Sequence, residues 1–369
     1  MLYIPSIFFL IMGFVQKRQF VLTICFGLFL WSLYAFSSGN ADYLIHQTRF
    51  YNYRELTSQT ELIYSFLMRV FNSAGLDYRA FLVCDSLFVC WAYFRFIRRN
   101  ANYSNFVLAL YLIYPFCMDV TMVRYTLAFA VVLYGLDSLW KDFRVKKYLI
   151  CVFLGFLIHS SMILTLLFLL PRFFKETVLK KIVLFGVLGL FAGGSLVKVF
   201  LNVVAKVSFF NLGEKSSIVL TSSLMKYDAD AYFRYGMKIF MAFLIMWFVF
   251  RQINRFLKTI QNVLQDSDRV KVSMISFASK LNLVALLIVP LVMFSADVFR
   301  LQLSLSVVFY VAVANYFELK KKYRPFKNSV LVQVGVVAYA LFNLYMWVLG
   351  GPNINSVWKP LFFNNVLWG

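Results

Sequence analysis

Apolar runs of 14 to 24 residues recur along the whole chain, set apart by short clusters of Lys and Arg. A run near 20 residues matches a hydrocarbon layer of roughly 30 Å at about 1.5 Å rise per residue. In lipid every backbone polar group must be satisfied internally, which leaves helices or closed barrels. Barrel strands alternate apolar and polar with period two, and stretches such as Leu281–Phe294 do not. The expected fold class is therefore all-α: a polytopic integral membrane helical bundle. At 369 residues the chain is long enough for a soluble core, so size does not force its apolarity. Its residues are 62% apolar and 14% charged, against about 25% charged in an ordinary soluble domain.

The net charge of +21 does not point to nucleic acid, because the basic residues sit in short clusters between apolar runs. Cytoplasmic loops of membrane proteins carry such an excess. The five cysteines, Cys25, Cys84, Cys90, Cys117 and Cys151, lie within or beside apolar runs and read as packing residues. The first run, Leu2–Val15, leads into Gln16-Lys17-Arg18 and not into a small-residue cleavage site, so no cleaved leader is expected.

Membrane segments are expected near 2–15, 20–37, 80–97, 103–118, 120–140, 148–170, 182–205, 232–250, 273–294, 299–317 and 328–349. Six basic clusters, from Lys17/Arg18 to Lys320–Lys327, hold 23 of the 37 Lys and Arg. Placing all six in the cytoplasm orients every segment consistently except 148–170, which has a basic cluster at each end. A break near His159-Ser160-Ser161 resolves this, with two short arms that enter and leave on one face. The expectation is about 10 full transmembrane helices plus a broken or re-entrant pair, 12 membrane segments in all, in a single domain over 1–369. The regions near 38–79, 206–231 and 350–369 then face outward. In the first, Leu62, Ile63, Phe66, Leu67, Val70 and Phe71 share a helical face, with Ser58 and Glu61 as a capping box, which predicts an interfacial helix.

Under this topology Arg124, Arg234 and Arg300 fall near the starts of helices that run from outside inward. A cation at a helix N-terminus is unfavourable, but the same end binds anions through free N–H groups. A guanidinium fork suits phosphate. These three arginines are candidate diphosphate ligands, and Ser160 would cap the arm after the break. Interfacial snorkelling is the bland alternative. Tyr125, Tyr232 and Tyr235 read as an aromatic belt or as sugar platforms. His159, an ionisable group at a break inside the bilayer, is a candidate general base. Asp42, in Gly39-Asn40-Ala41-Asp42-Tyr43, is a second candidate base or a turn residue, and His46 is a weaker one. Asp228 and Asp230 are too sparse for a metal site, so neither metal nor cofactor is expected. No nucleotide-binding loop or hydrolase motif occurs.

The order Asp42-Tyr43, Tyr51 and Tyr53, Glu61, Val123-Arg124-Tyr125-Thr126-Leu127-Ala128, Leu157-Ile158-His159-Ser160-Ser161 and a late Arg300 resembles the EpsG/Wzy-like polysaccharide polymerases of bacteria. The likeness is clear over roughly residues 1–170. Tyr125 stands where that family often has Gln, and Trp31–Ser38 lacks an Arg often found there. The resemblance implies a metal-independent glycosyltransferase in the bacterial plasma (inner) membrane, acting at its outer, periplasmic face. Undecaprenyl-diphosphate-linked oligosaccharide would be both donor and acceptor in O-antigen, capsule or exopolysaccharide biosynthesis. It also allows a chain-length regulator as partner, which the sequence does not reveal. Tyr43, Tyr125 and Ser160 would touch sugar. Two other classes compete: a lipid-linked oligosaccharide flippase, which should show two related halves, and a membrane O-acyltransferase, which should place its histidine differently.

Overall fold

The structure, a computed structural model, describes residues 2–52, 61–192, 229–291, 298–324, 329–350, 353–363 and 365–367. The described residues form a multi-pass helical membrane protein. Five helices are long and apolar enough to cross a bilayer, and shorter apolar helices pack among them. In chain order the α-helices are α1 (Tyr3–Val15), α2 (Phe20–Ala35), α3 (Tyr43–Tyr51), α4 (Leu62–Ser73), α5 (Tyr78–Asn100), α6 (Ser104–Ile113), α7 (Phe116–Thr121), α8 (Val123–Asp142) and α9 (Val145–Ile158). After a 3₁₀ arm (Ser160–Leu169) come α10 (Leu170–Phe173), α11 (Glu176–Ala192), α12 (Ala229–Ile260), α13 (Arg269–Ala285) and α14 (Ile288–Leu291). The last are α15 (Phe299–Tyr323), α16 (Val330–Leu344) and α17 (Lys359–Phe362), with π-turns Tyr345–Leu349 and Ile354–Trp358 between them. The centre of the bundle is α15, whose residues from Leu301 to Tyr316 are all buried.

The re-entrant pair is present where the basic clusters demand it. His159 is extended (φ −149°, ψ 118°) and divides α9 from the 3₁₀ arm. The Tyr148 hydroxyl donates to the Thr165 carbonyl at 2.6 Å. A continuous helix would hold these residues about 25 Å apart, so the chain folds back at His159. Ten 3₁₀ residues at about 2.0 Å rise match fourteen α residues at about 1.5 Å, which gives the two arms equal length. Their outer ends meet again, with Phe143 and Phe173 rings 5.4 Å apart and the Arg172 guanidinium 4.9 Å from the Phe143 ring. Phe143 is the left-handed residue (φ 54°) that turns α8 into α9, and those contacts hold its ring.

Two expectations need correction. The run 103–118 is not one helix: it divides at Pro115 into α6 and α7, because proline has no N–H to donate and its ring crowds the preceding turn. The surface helix at 62–73 does form: Leu62, Phe66 and Val70 lie exposed along one face, where an interfacial helix meets lipid, and Tyr64 and Met68 are buried against the bundle. Tyr64 is drawn in because its ring packs edge-on against Phe81 and His46. Glu61 sits at the N-cap position of α4 and makes no cap bond, so it is not the third helical residue of a capping box. Ser58, Tyr53, Asp228 and the 206–228 part of the outward loop lie outside the described residues.

The two ends of the bundle differ in chemistry. On α8, Arg124 and Lys141 lie about 26 Å apart, and on α15, Arg300 and Lys322 about 33 Å. The Lys141–Lys322 end carries the basic clusters. The other end gathers Arg124, His159, Arg300, the 38–79 region and the C-terminal segment. Ala41 donates to the Ser356 carbonyl at 2.9 Å, and Asn365 Nδ2 to the Leu33 carbonyl at 3.0 Å.

Candidate active site

Arg124 and Arg300 are each the second residue of their helix, as expected, and α8 delivers two neighbouring side chains in two directions. Arg124 pairs with Glu61, which is 8% exposed and comes from the start of α4. Tyr125 turns the other way. Its hydroxyl meets Ser304 Oγ at 2.7 Å, its ring lies edge-on to His159 at 5.6 Å, and the Arg300 guanidinium sits 5.9 Å above it. Successive helical residues point about 100° apart, so one turn of α8 serves both halves of the site. Tyr125 is buried and is neither an interfacial belt residue nor an open sugar platform.

Arg300 Nη1 lies 3.2 Å from His159 Nε2. A guanidinium only donates, so Nε2 is the acceptor and the ring is neutral. Nδ1 then carries the proton and donates to Ser161 Oγ at 2.8 Å. The same Nδ1 cannot also accept from the Ser161 N–H at 3.3 Å; the shorter hydroxyl contact decides. His159 therefore holds Arg300. Ser304 donates to the Arg300 carbonyl at 3.1 Å, and the fully buried Gln302 donates to Tyr339 and Asn343 at 2.7 and 3.3 Å. These bonds fix the first turns of α15.

A third arginine joins them. Arg49 of α3 feels both Arg124 and Glu61, and burial followed by Arg124 lowers its pKa. His46, on the same helix, is 1% exposed. Burial first, then the charges of Arg124, Arg49 and Arg300, push its pKa down to about 3. Its Nδ1 is buried with no hydrogen-bond partner among the described residues. His46 is thus held neutral, within electrostatic reach of all three arginines.

Asp42 is half-buried at the N-cap position of α3 and caps with its carbonyl, not its side chain; its N–H bonds Asn40 Oδ1 at 3.2 Å. Its charge reaches Arg49. Tyr43 is engaged: its hydroxyl accepts from Arg79 Nη2 at 3.2 Å, while Arg79 Nη1 holds the Ala35 and Ser37 carbonyls at 2.8 Å each. Ser160 opens the 3₁₀ arm and is half-buried. Arg234 is exposed on α12, in its second turn. A path of rings, Tyr235–Trp347 (5.8 Å) and Trp347–Phe299 (4.5 Å), leads from its helix to the neighbour of Arg300; among the described residues Arg234 makes no hydrogen bond or ion pair with the other site residues. The side chain of Tyr232 lies outside the described residues, as does that of Asp230. No group of three His, Cys, Asp or Glu that could hold a metal occurs among the described residues.

Glu61, Arg49, Arg79 and His46 carry more of this site than the sequence reading gave them. Arg49 and Arg79 stand in a region the charge rule assigns outside, where unexplained cations are the signal that picked out Arg124. The site can hold an anion with two or more phosphate oxygens, with Glu61 and Asp42 as the carboxylates beside it.

A family model described as the EpsG family matches residues 20–362, which includes every residue of this cluster. It supports a role of the polysaccharide-polymerase type in a membrane. No curated protein and no solved structure matches the chain.

Proposed function

This chain belongs to the EpsG family, and from that premise we propose that it is a glycosyltransferase joining undecaprenyl-diphosphate-linked oligosaccharide repeat units at the outer face of the bacterial plasma membrane. The observation that carries this reading is the placing of Arg124 and Arg300 at the starts of α8 and α15, joined through Tyr125 and His159, at the end away from the basic clusters. Three guanidinium groups within electrostatic reach of one another suit the charge and the paired oxygens of a diphosphate.

In the reaction, an acceptor sugar hydroxyl attacks the anomeric carbon of the donor chain. The new C–O bond forms as the bond from that carbon to the lipid diphosphate breaks. Arg124 and Arg300, with Arg49, hold the diphosphate and stabilise the charge it gains as it leaves. The hydroxyl proton passes to Asp42, because the His159 Nε2 lone pair is committed to Arg300. His159 thus positions Arg300, and Glu61 positions Arg124 until substrate arrives. The arrangement needs neither nucleotide nor metal.

The test is purified protein with a synthetic lipid-diphosphate oligosaccharide, without nucleotide or added metal, read as a product ladder. A ladder growing by whole repeat units is expected, and Asp42→Asn should abolish it while His159→Gln weakens it. Movement of the lipid-linked sugar between leaflets with no ladder would falsify the proposal in favour of a flippase.

A further inference from the structure

At the opposite end from Arg300, a groove of about 910 Å³ runs between α11, α12 and α13. Its placement is fixed by Lys322, at the far end of α15, whose Nζ meets Asp268 at 2.7 Å beside the first residue of α13. Trp247, Arg251, Arg255 and Lys258 follow one another at intervals of three and four along α12, which aligns them on one face. The wall opposite is α13, with Ser276, Ser279 and Asn282 at intervals of three. Deeper in, Phe250, Leu283 and Leu286 make the lining apolar.

The cations here outnumber their partners. Lys180 is neutralised by Glu176 at 2.7 Å and Arg269 by Asp266 at 2.9 Å. Among the described residues Arg251, Arg255 and Lys258 have no carboxylate within ion-pair distance; Arg255 meets only Gln252 Oε1 at 3.4 Å, and Arg251 packs on the Trp247 ring at 5.4 Å. Asn282 is 5% exposed, and its buried Oδ1 has no hydrogen-bond partner among the described residues. Trp247 lines the groove and is also 47% exposed on the outer surface of α12, in the middle of a membrane-spanning helix. The groove is therefore charged at its mouth, apolar within, and open sideways to lipid.

We propose that this groove is a binding site for an anionic phospholipid, with the headgroup phosphate held by Arg251, Arg255 and Lys258 and an acyl chain lying along Trp247, Phe250, Leu283 and Leu286. A basic pocket between transmembrane helices near the membrane surface matches an anionic headgroup, each cation adding about 1 kcal/mol. A soluble phosphate ester would share the three cations but leave the apolar depth unfilled. The groove lies a bilayer's thickness from the arginine cluster and does not depend on the reaction assigned there.

Delipidated protein in detergent would be titrated with phosphatidylglycerol or phosphatidylcholine and read by native mass spectrometry. Wild type should retain phosphatidylglycerol preferentially. The triple variant R251Q/R255Q/K258Q should lose on the order of a hundredfold in retention, and Glu176→Gln, which removes the carboxylate lining the groove, should raise it about fivefold. Glycerol phosphate at millimolar concentration should not displace the lipid. Equal retention of both lipids, or no response to either set of substitutions, overturns the site. Displacement by glycerol phosphate would assign the cations to a soluble phosphate ester instead. Glu176→Gln lies on the exposed first turn of α11, so it reports even where the triple variant fails to fold.

Discussion

The two ends of this bundle both concentrate cations, and they handle them oppositely. At the Lys141–Lys322 end, the buried Asp137 receives Arg99 at 3.2 Å, Lys141 at 3.4 Å and Arg95 at 3.8 Å, with Asn100 donating at 3.0 Å. Asp268 does the same for Lys271 and Lys322, with Tyr323 donating at 2.8 Å. One carboxylate there serves several cations that themselves reach water. At the Arg124–Arg300 end, Arg300 meets a neutral histidine, and Arg124 shares Glu61 with the reach of Arg49. The first arrangement closes on itself and braces helices. The second sets its cations in a half-buried place beside a histidine and a single directly paired carboxylate among the described residues, and an entering anion would draw them together.

The comparison can be broken most sharply by substituting on each side. Arg124→Ala or Arg300→Ala should cut repeat-unit polymerisation by about a hundredfold to a thousandfold, the usual loss when a donor to a developing anion is removed. Arg300→Lys should recover little, since lysine keeps the charge but not the fork. Expression and thermal stability should change far less; intact product ladders from an expressed Arg124→Ala would dissolve the distinction between the ends. Asp137→Ala should do the reverse, with a loss of about 2 kcal/mol in stability from three cations left facing one another, and turnover per folded molecule near wild type.

A third measurement uses pH. The His46 pKa in the folded protein, about 3, lies below its unfolded value near 6.5, so the unfolded chain binds the extra proton between those limits. Stability contributed by neutral His46 is thus present above about pH 6.5 and lost as pH falls toward 3, by at most about 1.4 kcal/mol per pH unit. Melting temperatures followed from pH 7 to 5 should fall less steeply in His46→Gln. The smallest effect belongs to the hairpin. Tyr148→Phe should cost about 1 kcal/mol by leaving the Thr165 carbonyl without its donor, and hydrogen exchange should rise first in residues 160–169.

Much of the architecture was legible because lipid permits few answers. Charge bookkeeping alone located the break at His159, since no straight helix can connect two basic clusters on one face. Helix starts were legible at Arg124 and Arg300 for the same reason. What the pattern did not reveal was where side chains turn once helices meet. On α4 the Tyr64 ring is drawn in by Phe81 and His46, a burial that a periodicity counting tyrosine as half polar does not mark. The Arg124–Glu61 pair joins residues 63 apart in sequence, and no local spacing encodes it. Arg234 satisfied the same helix-start rule as the other two arginines without joining them among the described residues, because the rule fixes depth in the membrane and not position within it. The division at Pro115 was available from residue chemistry and lost to the hydropathy of the whole run.

The bond between Arg300 and His159 joins residues 141 apart. During synthesis at roughly 5–20 residues per second, α9 and the 3₁₀ arm emerge several seconds to half a minute before their partner. Until then the His159 Nε2 lone pair lacks the guanidinium that donates to it, and an unsatisfied polar group in lipid costs up to several kcal/mol. The hairpin is therefore a late-maturing element: chains arrested before α15 would carry an unfinished break, recognisable to membrane proteases and insertion chaperones. Pulse-labelled chains truncated before Phe299 should be cleared faster than those truncated after Tyr323.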